Sequence, residues 1–146
     1  MSQNRNSKGF SLLELLIVVA IILIIATIAI PSLLRSRQAA NESAAVAQIR
    51  TITTAEVTYL SSSGGQYGDI DGLVAAGLLD TGFQATTGKG GYLYTIDTNG
   101  TDYTISATPV STNNGRFAYY SVPDGVVRYS TDSALAPSGA AGNPVN

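Results

Sequence analysis

A single carboxylate, that of Glu14, lies inside an apolar run near the start of this sequence. The run covers residues 12–30, in which Thr27 carries the one other polar side chain. A carboxylate placed in a membrane costs roughly 2.5–3.5 kcal/mol on insertion scales, so such a residue is a functional candidate that needs a partner. The chemistry open to Glu14 is ion pairing with a positive group. The alternative is that its side chain extends to the membrane interface near the helix end.

The residues that are absent exclude several other kinds of chemistry. The chain has no Cys and no His, so the usual zinc, iron and copper sites and the thiol or Ser-His nucleophiles cannot be built. Only 12% of its 146 residues are charged, the net charge is -2, and no basic stripe follows Arg50. We therefore expect neither an enzyme nor a metal or cofactor site, and no direct binding of nucleic acid.

The apolar run is long enough to cross a membrane. As a helix it spans about 28 Å, which matches the hydrocarbon thickness of a bilayer. Backbone groups in lipid must be hydrogen-bonded internally, so the segment must be helical there. Arg5 and Lys8 precede it. By the positive-inside tendency, they keep the N-terminus cytoplasmic and send the rest of the chain across the membrane.

Three interpretations of this N-terminal segment compete. It is a plain membrane anchor, a secretory signal peptide cut after Ala29, or a segment cut before the apolar run, between Gly9 and Phe10. The run is longer than the roughly 7–15 apolar residues of an ordinary signal peptide. Neither of the first two interpretations accounts for Glu14.

The segment Lys8-Gly9-Phe10-Ser11-Leu12-Leu13-Glu14 resembles the processing motif of type IV prepilins and type II secretion pseudopilins. In that family a short basic leader ends in Gly, Phe follows, and Glu is the fifth residue of the mature chain. Pro31 also matches the family pattern. The resemblance implies cleavage between Gly9 and Phe10, and the missing Cβ of Gly9 allows an enzyme to approach the backbone closely. It further implies methylation of the new Phe10 amine, which pairs with Glu14 of a neighbouring subunit.

The same resemblance implies the function and the partners. The chain is expected to be a structural subunit of a type IV pilus, with a type II secretion pseudopilin or a minor pilin as the alternative. It would be processed by a prepilin peptidase, held in the inner membrane with its C-terminal domain in the periplasm, and then assembled into a surface filament of identical subunits. An inner-membrane platform protein and a cytoplasmic ATPase would assist. A tethered binding domain that never polymerises would need neither Glu14 nor the Gly9–Phe10 junction.

The expected fold is α+β, with a long N-terminal helix packed on a four-stranded antiparallel sheet. Residues 1–9 form the leader, 10–34 the transmembrane and polymerisation helix, and 35–60 its amphipathic second half. Pro31 removes a helical hydrogen bond and predicts a kink. Helical spacing predicts a buried face, with Glu42, Arg50 and Glu56 facing elsewhere. The members of that face are Ala45, Val46, Ile49, Ile52, Thr53, Ala55, Val57 and Leu60.

The rest of the chain is expected to contain a connecting region, a sheet and a tail. Residues 61–91 connect helix to sheet and include a short helix at 73–79, for which Asp71 is the candidate N-cap. Residues 92–132 are expected to form the sheet, because residues 92–130 alternate with period two and Asn99-Gly100 predicts a hairpin turn. Residues 133–146 are of low complexity and predict a flexible tail.

Two sets of residues invite a binding hypothesis, and each has a simpler structural explanation. Asp97, Asn99 and Asp102 suggest a calcium loop, but the Glu of an EF-hand is missing and a hairpin turn explains them better. Asp69 and Asp71 are better explained as helix caps or solvated loop residues. The tyrosines at 92, 94, 103, 119, 120 and 129 favour strand packing over a ligand site.

Overall fold

The computed structural model describes residues 9–132 and 141–145, which fall into two compact units, Met1–Arg35 and Ser36–Asn146. The expected leader, except for Gly9, lies outside the described residues. So does most of the expected tail, namely residues 133–140 and 146.

A long helix, α1, covers Leu12–Ser62 and contributes to both units. It begins two residues later than expected and ends just beyond Leu60. Leucine, isoleucine and alanine dominate its sequence, and all but isoleucine rank among the strongest helix formers. The helix continues through Pro31, so the proline does not end it. The predicted kink at that position stays a prediction.

The second half of α1 buries one face against the sheet, but the predicted face was partly wrong. Ile49 and Ile52 are fully buried as expected, whereas Val57 is 57% exposed. Glu42 and Glu56, which were expected to face elsewhere, are buried on the same side as the two isoleucines. Glu42 accepts a hydrogen bond from Arg116, 74 residues along the chain, and Glu56 accepts one from Gly68.

The region between α1 and the sheet contains a short helix, α2, at Ile70–Ala75. The prediction of a helix at 73–79 capped by Asp71 was wrong. Asp69 is the N-cap, because its extended backbone lets its Oδ1 accept the Gly72 N–H at 2.8 Å. Gly77 follows the helix with φ +71°, a left-handed conformation that stops it. A 3₁₀ turn at Thr81–Gln84 then buries Phe83.

The described residues form a sheet of five antiparallel strands in the order β1-β2-β3-β4-β5. The strands are β1 (Tyr92–Thr98), β2 (Tyr103–Pro109), β3 (Ala118–Ser121), β4 (Arg128–Ser130) and β5 (Asn143–Pro144). The hairpin at Asn99-Gly100 is confirmed, since Thr98 pairs with Tyr103 and Gly100 has φ +89°. The expected α+β architecture of a long helix on an antiparallel sheet is therefore confirmed.

The predicted number of four strands was wrong, because β5 lies within the expected tail. It pairs with β4, and Val145 next to it donates its N–H to the Val127 carbonyl at 2.8 Å. Tyr120 is fully buried and donates its hydroxyl to the Ala141 carbonyl. Asn and Pro are poor strand formers, so the pairing of β5 depends on these contacts rather than on its own sequence.

Alternation along β1 and β2 places tyrosines and aliphatic residues in the core. Tyr92, Tyr94 and Ile96 are buried while their neighbours on β1 are more exposed, as period two predicts. Tyr94 also meets the ring of Phe83 edge-on, with centroids 5.3 Å apart. Burial raises the pKa of Tyr94 above its ordinary value, as expected of a packed phenol rather than a reactive one.

Candidate functional site

The candidate processing junction lies in exposed chain immediately before α1. Gly9 and Phe10 belong to no helix or strand, and Phe10 is 80% exposed. A Cβ placed on Gly9 would meet nothing within 4 Å, so neighbouring parts of the chain do not crowd the junction. An enzyme can therefore reach the bond between Gly9 and Phe10 without unfolding any helix or strand.

Glu14 lies in the first turn of α1 and forms a capping box with Ser11. Its Oε2 accepts the Ser11 backbone N–H at 3.0 Å, and the Ser11 Oγ accepts the Leu13 N–H at 3.3 Å. These bonds satisfy two of the backbone donors that a helix start leaves free. The signal for this box, Ser-x-x-Glu before an apolar run, was present in the sequence and was not recognised.

The capping box defines what the Glu14 carboxylate can do. A negative charge at a helix N-terminus is favoured by the positive end of the helix dipole. Within the described residues, Oε1 of Glu14 accepts no hydrogen bond, while Oε2 is held by Ser11. One oxygen is therefore fixed in place, and the other is free to meet a cation. The pairing with a Phe10 amine of a neighbouring subunit stays a prediction.

The first unit presents a continuous apolar surface. Its large apolar side chains from Leu12 to Leu34 are between 37% and 82% exposed. Among the described helices, α1 is long and apolar enough to cross a membrane, by length and composition. An apolar surface of this extent needs lipid or another protein to cover it.

In the second unit, one face of α1 is joined by polar contacts to the loop between β2 and β3. We call these contacts the helix–loop clamp. Three α1 side chains at successive positions on one face take part, and none was identified from the sequence. The pairs are Gln38 Nε2 to the Thr112 carbonyl at 2.7 Å, Asn41 Nδ2 to the Asn114 carbonyl at 2.9 Å, and Glu42 with Arg116.

Glu42 and Arg116 form the charged part of the clamp. The Arg116 backbone N–H and Nε donate to Glu42 Oε1 at 2.8 and 3.0 Å, and Nη2 donates to Oε2 at 2.8 Å. Burial by itself raises the pKa of Glu42, but the hydrogen bonds and charge of Arg116 outweigh it and hold that pKa below its ordinary value. The clamp therefore fixes the β2–β3 loop to the helix with an ionised carboxylate.

The residues that suggested a calcium loop form a hairpin turn instead. The Asn99 Oδ1 accepts the N–H groups of Thr101 and Asp102 at 3.0 and 2.8 Å. Asp69 caps α2, and Asp71 accepts a bond from Gln84 at 2.6 Å. Across the residues the structure describes, no group of three or more acidic, His or Cys side chains is placed to hold a metal ion.

Comparison with known proteins identifies the N-terminal segment. A family model described as the prokaryotic N-terminal methylation motif matches residues 4–30, which contain Gly9, Phe10 and Glu14. The chain is 38% identical over 77 residues to the type IV wide pilus major component PilA4 of Thermus thermophilus. It is 40% identical over 58 residues to the type IV major pilin protein PilA of Myxococcus xanthus. The chain therefore carries an N-terminal methylation motif and is similar to two type IV pilins.

The similarity to these pilins is partial in extent. The match to the Thermus pilin covers 53% of this chain and 59% of that protein, and the match to the Myxococcus pilin covers 40% and 26%. The chain thus spans less than two thirds of the length of either relative. No solved structure matches the chain significantly. Both relatives are named as pilus components rather than as enzymes.

Proposed function

We propose that this chain is the structural subunit of a type IV pilus and that it polymerises through the first part of α1. One observation carries the proposal: the exposed apolar surface of α1 begins at Leu12, within the methylation motif that matches residues 4–30. The major pilus components of Thermus and Myxococcus, to which the chain is similar, support the same role.

Processing is the first step of the proposed function. A prepilin peptidase hydrolyses the bond between Gly9 and Phe10, removes residues 1–9 and methylates the new amine of Phe10. The exposure of both residues supports this step. Before assembly, α1 holds the chain in the inner membrane and the Ser36–Asn146 unit lies in the periplasm. The positive residues Arg5 and Lys8 favour this orientation.

Assembly is the second step, and Glu14 directs it. The amine of Phe10 on one subunit is positive, and the Glu14 carboxylate on its neighbour is negative. Pairing them removes two unpaired charges from an apolar setting and sets the axial register between subunits. The free Oε1 of Glu14 supports this role, because the capping box occupies only Oε2. A cytoplasmic ATPase and an inner-membrane platform protein supply the work of extraction.

A gene deletion combined with filament shearing tests the proposed function. Deleting the gene in the native host should remove a class of long surface filaments, and expression from a plasmid should restore them. Sheared filaments should contain this chain as their main component. Unchanged filaments after deletion would contradict the proposal, as would a chain found only in the membrane fraction. Loss of protein export with intact surface filaments would instead indicate a type II secretion pseudopilin.

A further inference from the structure

Glu56 is a buried carboxylate with only one of its oxygens bonded. The residue is fully buried, on the same face of α1 as Ile49 and Ile52. Its Oε2 accepts the Gly68 N–H at 3.1 Å. Its Oε1 is enclosed, and no described residue forms a hydrogen bond with it. An ionised carboxylate in such a place is costly unless a cation or several donors compensate its charge.

Within the part of the chain that the structure describes, the titratable groups that act on Glu56 include no cation. Asp69, the N-cap of α2, places a second carboxylate nearby. On the sheet side, Glu56 acts electrostatically on Tyr103 of β2, and so does Asp124. The ring of Tyr103 packs edge-on against that of Tyr67, with centroids 4.6 Å apart. On α1 itself, Tyr59 reaches toward Gly68 and Gly72. These groups are neutral phenols or negative carboxylates.

The direction of the pKa of Glu56 agrees with this geometry. Burial raises the pKa of Glu56, and so does the charge of Asp69. The hydrogen bond from the Gly68 N–H lowers it, but the pKa still lies above its ordinary value. The pKa of Glu42, on the same helix face, is lowered instead, because Arg116 compensates the charge of its carboxylate. Both glutamates are buried, but among the described residues only Glu42 has a cationic partner.

We propose that Glu56 is a proton-binding site that controls how firmly the segment 63–69 is held against α1. One proton from solvent binds the carboxylate, and the neutral acid stays in the core with the Gly68 N–H still bonded to it. When the proton leaves, the ionised carboxylate draws water into the core, and this segment opens. The inference does not depend on the proposed function.

The sign of the pH effect follows from linkage. A group whose pKa is raised on folding stabilises the protein fully below its unfolded pKa, and that stabilisation is lost as pH rises through the folded pKa. For Glu56 the loss therefore starts near the ordinary value of 4.5 and proceeds upward. Glu56→Gln removes the titration and keeps a neutral side chain of the same shape.

Thermal unfolding of the full-length chain in detergent tests the proposal, with wild type, Glu56→Gln and the matched control Glu42→Gln compared across pH. The Tm difference between Glu56→Gln and wild type should grow as pH rises, to about 4 °C or more in favour of Glu56→Gln at about pH 8. Glu42→Gln should show no such gain. A difference that is constant with pH would overturn the proposal. So would failure of Glu56→Gln to fold, because Gln reproduces the neutral acid.

Two direct measurements complete the test. Infrared spectra of wild type should show a carboxylic acid C=O band that persists above the ordinary Glu range and is missing in Glu56→Gln. Amide exchange at Gly68 should lose protection with rising pH in wild type but keep it in Glu56→Gln. An acid band that titrates in the ordinary range would overturn the proposal, as would equal exchange in the two chains.

Discussion

Arg116 contacts both carboxylate oxygens of Glu42, through Nε at 3.0 Å and Nη2 at 2.8 Å, across 74 residues of sequence. The Arg116 backbone N–H adds a third bond to Oε1 at 2.8 Å. Paired N–H···O bonds from a guanidinium are among the strong and geometrically specific contacts in proteins. This contact explains why a glutamate is buried on the α1 face that packs against the sheet.

The Glu42–Arg116 pair should make the domain sensitive to acid. The pKa of Glu42 is lowered on folding, so its stabilisation is present above the unfolded value of 4.5 and is lost as pH falls through the folded value. We expect Arg116→Ala to lower the Tm at about pH 7. The Tm difference between this variant and wild type should become smaller toward about pH 3. Melting curves across that range would measure both effects.

Lys89→Ala is the matched control for Arg116→Ala. It removes the ion pair with the 62% exposed Asp80 carboxylate and the contact of Nζ with the Phe83 ring at 3.9 Å, and neither involves a clamp residue. Exposed pairs contribute little, so its Tm should change less than that of Arg116→Ala. Equal decreases in Tm for the two variants would show that the Glu42–Arg116 pair stabilises the domain no more than the Lys89–Asp80 pair does.

The corrected face of α1 leads to a prediction about packing. Ile52 is fully buried and Val57 is 57% exposed, although the helical pattern placed both on one face. Ile52→Ala should cost about 2–5 kcal/mol of stability by leaving a cavity. Val57→Ala should stay within about 0.5 kcal/mol, as surface changes usually do. Chemical denaturation of both variants would measure this, and a large cost for Val57→Ala would show that the helix face is wrong.

Substitutions at Glu14 and Ser11 should separate capping from charge. Glu14→Gln keeps an oxygen that can accept the Ser11 N–H but loses the negative charge. Ser11→Ala keeps the charge but loses the hydroxyl that accepts the Leu13 N–H. If charge pairing drives assembly, Glu14→Gln and Glu14→Ala should both give a processed subunit with few or no filaments. Ser11→Ala should still give filaments.

Gel mobility and the yield of sheared filaments, measured together for each variant, would test these expectations. Gel mobility reports cleavage, which should survive in all three variants because Gly9 and Phe10 are untouched. Wild-type filament yield from Glu14→Gln would show that the helix cap suffices, and the charge pair would have to be abandoned. Loss of filaments in Ser11→Ala alone would lead to the same conclusion.

The features predicted correctly from the sequence depend on local patterns. The apolar run, the Asn99-Gly100 turn and the alternation along β1 each involve residues close together in the chain. The features that were missed depend on distant partners. Glu42 looked like a surface residue because its partner, Arg116, is 74 residues away. Strand β5 has no strand-forming sequence and pairs only because β4 offers it an edge.

Two errors were of another kind, because the signal was local and was not recognised. Ser11 and Glu14 stand at capping-box spacing, which hydrophobicity alone does not reveal. Asp69 rather than Asp71 caps α2, and Gly77 then ends that helix earlier than its apolar residues suggest. For the candidate site, the residues were predicted from the sequence, while the hydrogen bonds that hold Glu14 came from the structure.

The intact mass of the subunit from sheared filaments tests the central claim most directly. The account predicts a chain that begins at Phe10 and carries one methyl group on the amine of that residue. That mass would show cleavage after Gly9, methylation of Phe10 and incorporation into a filament in one measurement. A filament subunit that begins at Met1, or at Ile30 after signal-peptide cleavage, would contradict the account.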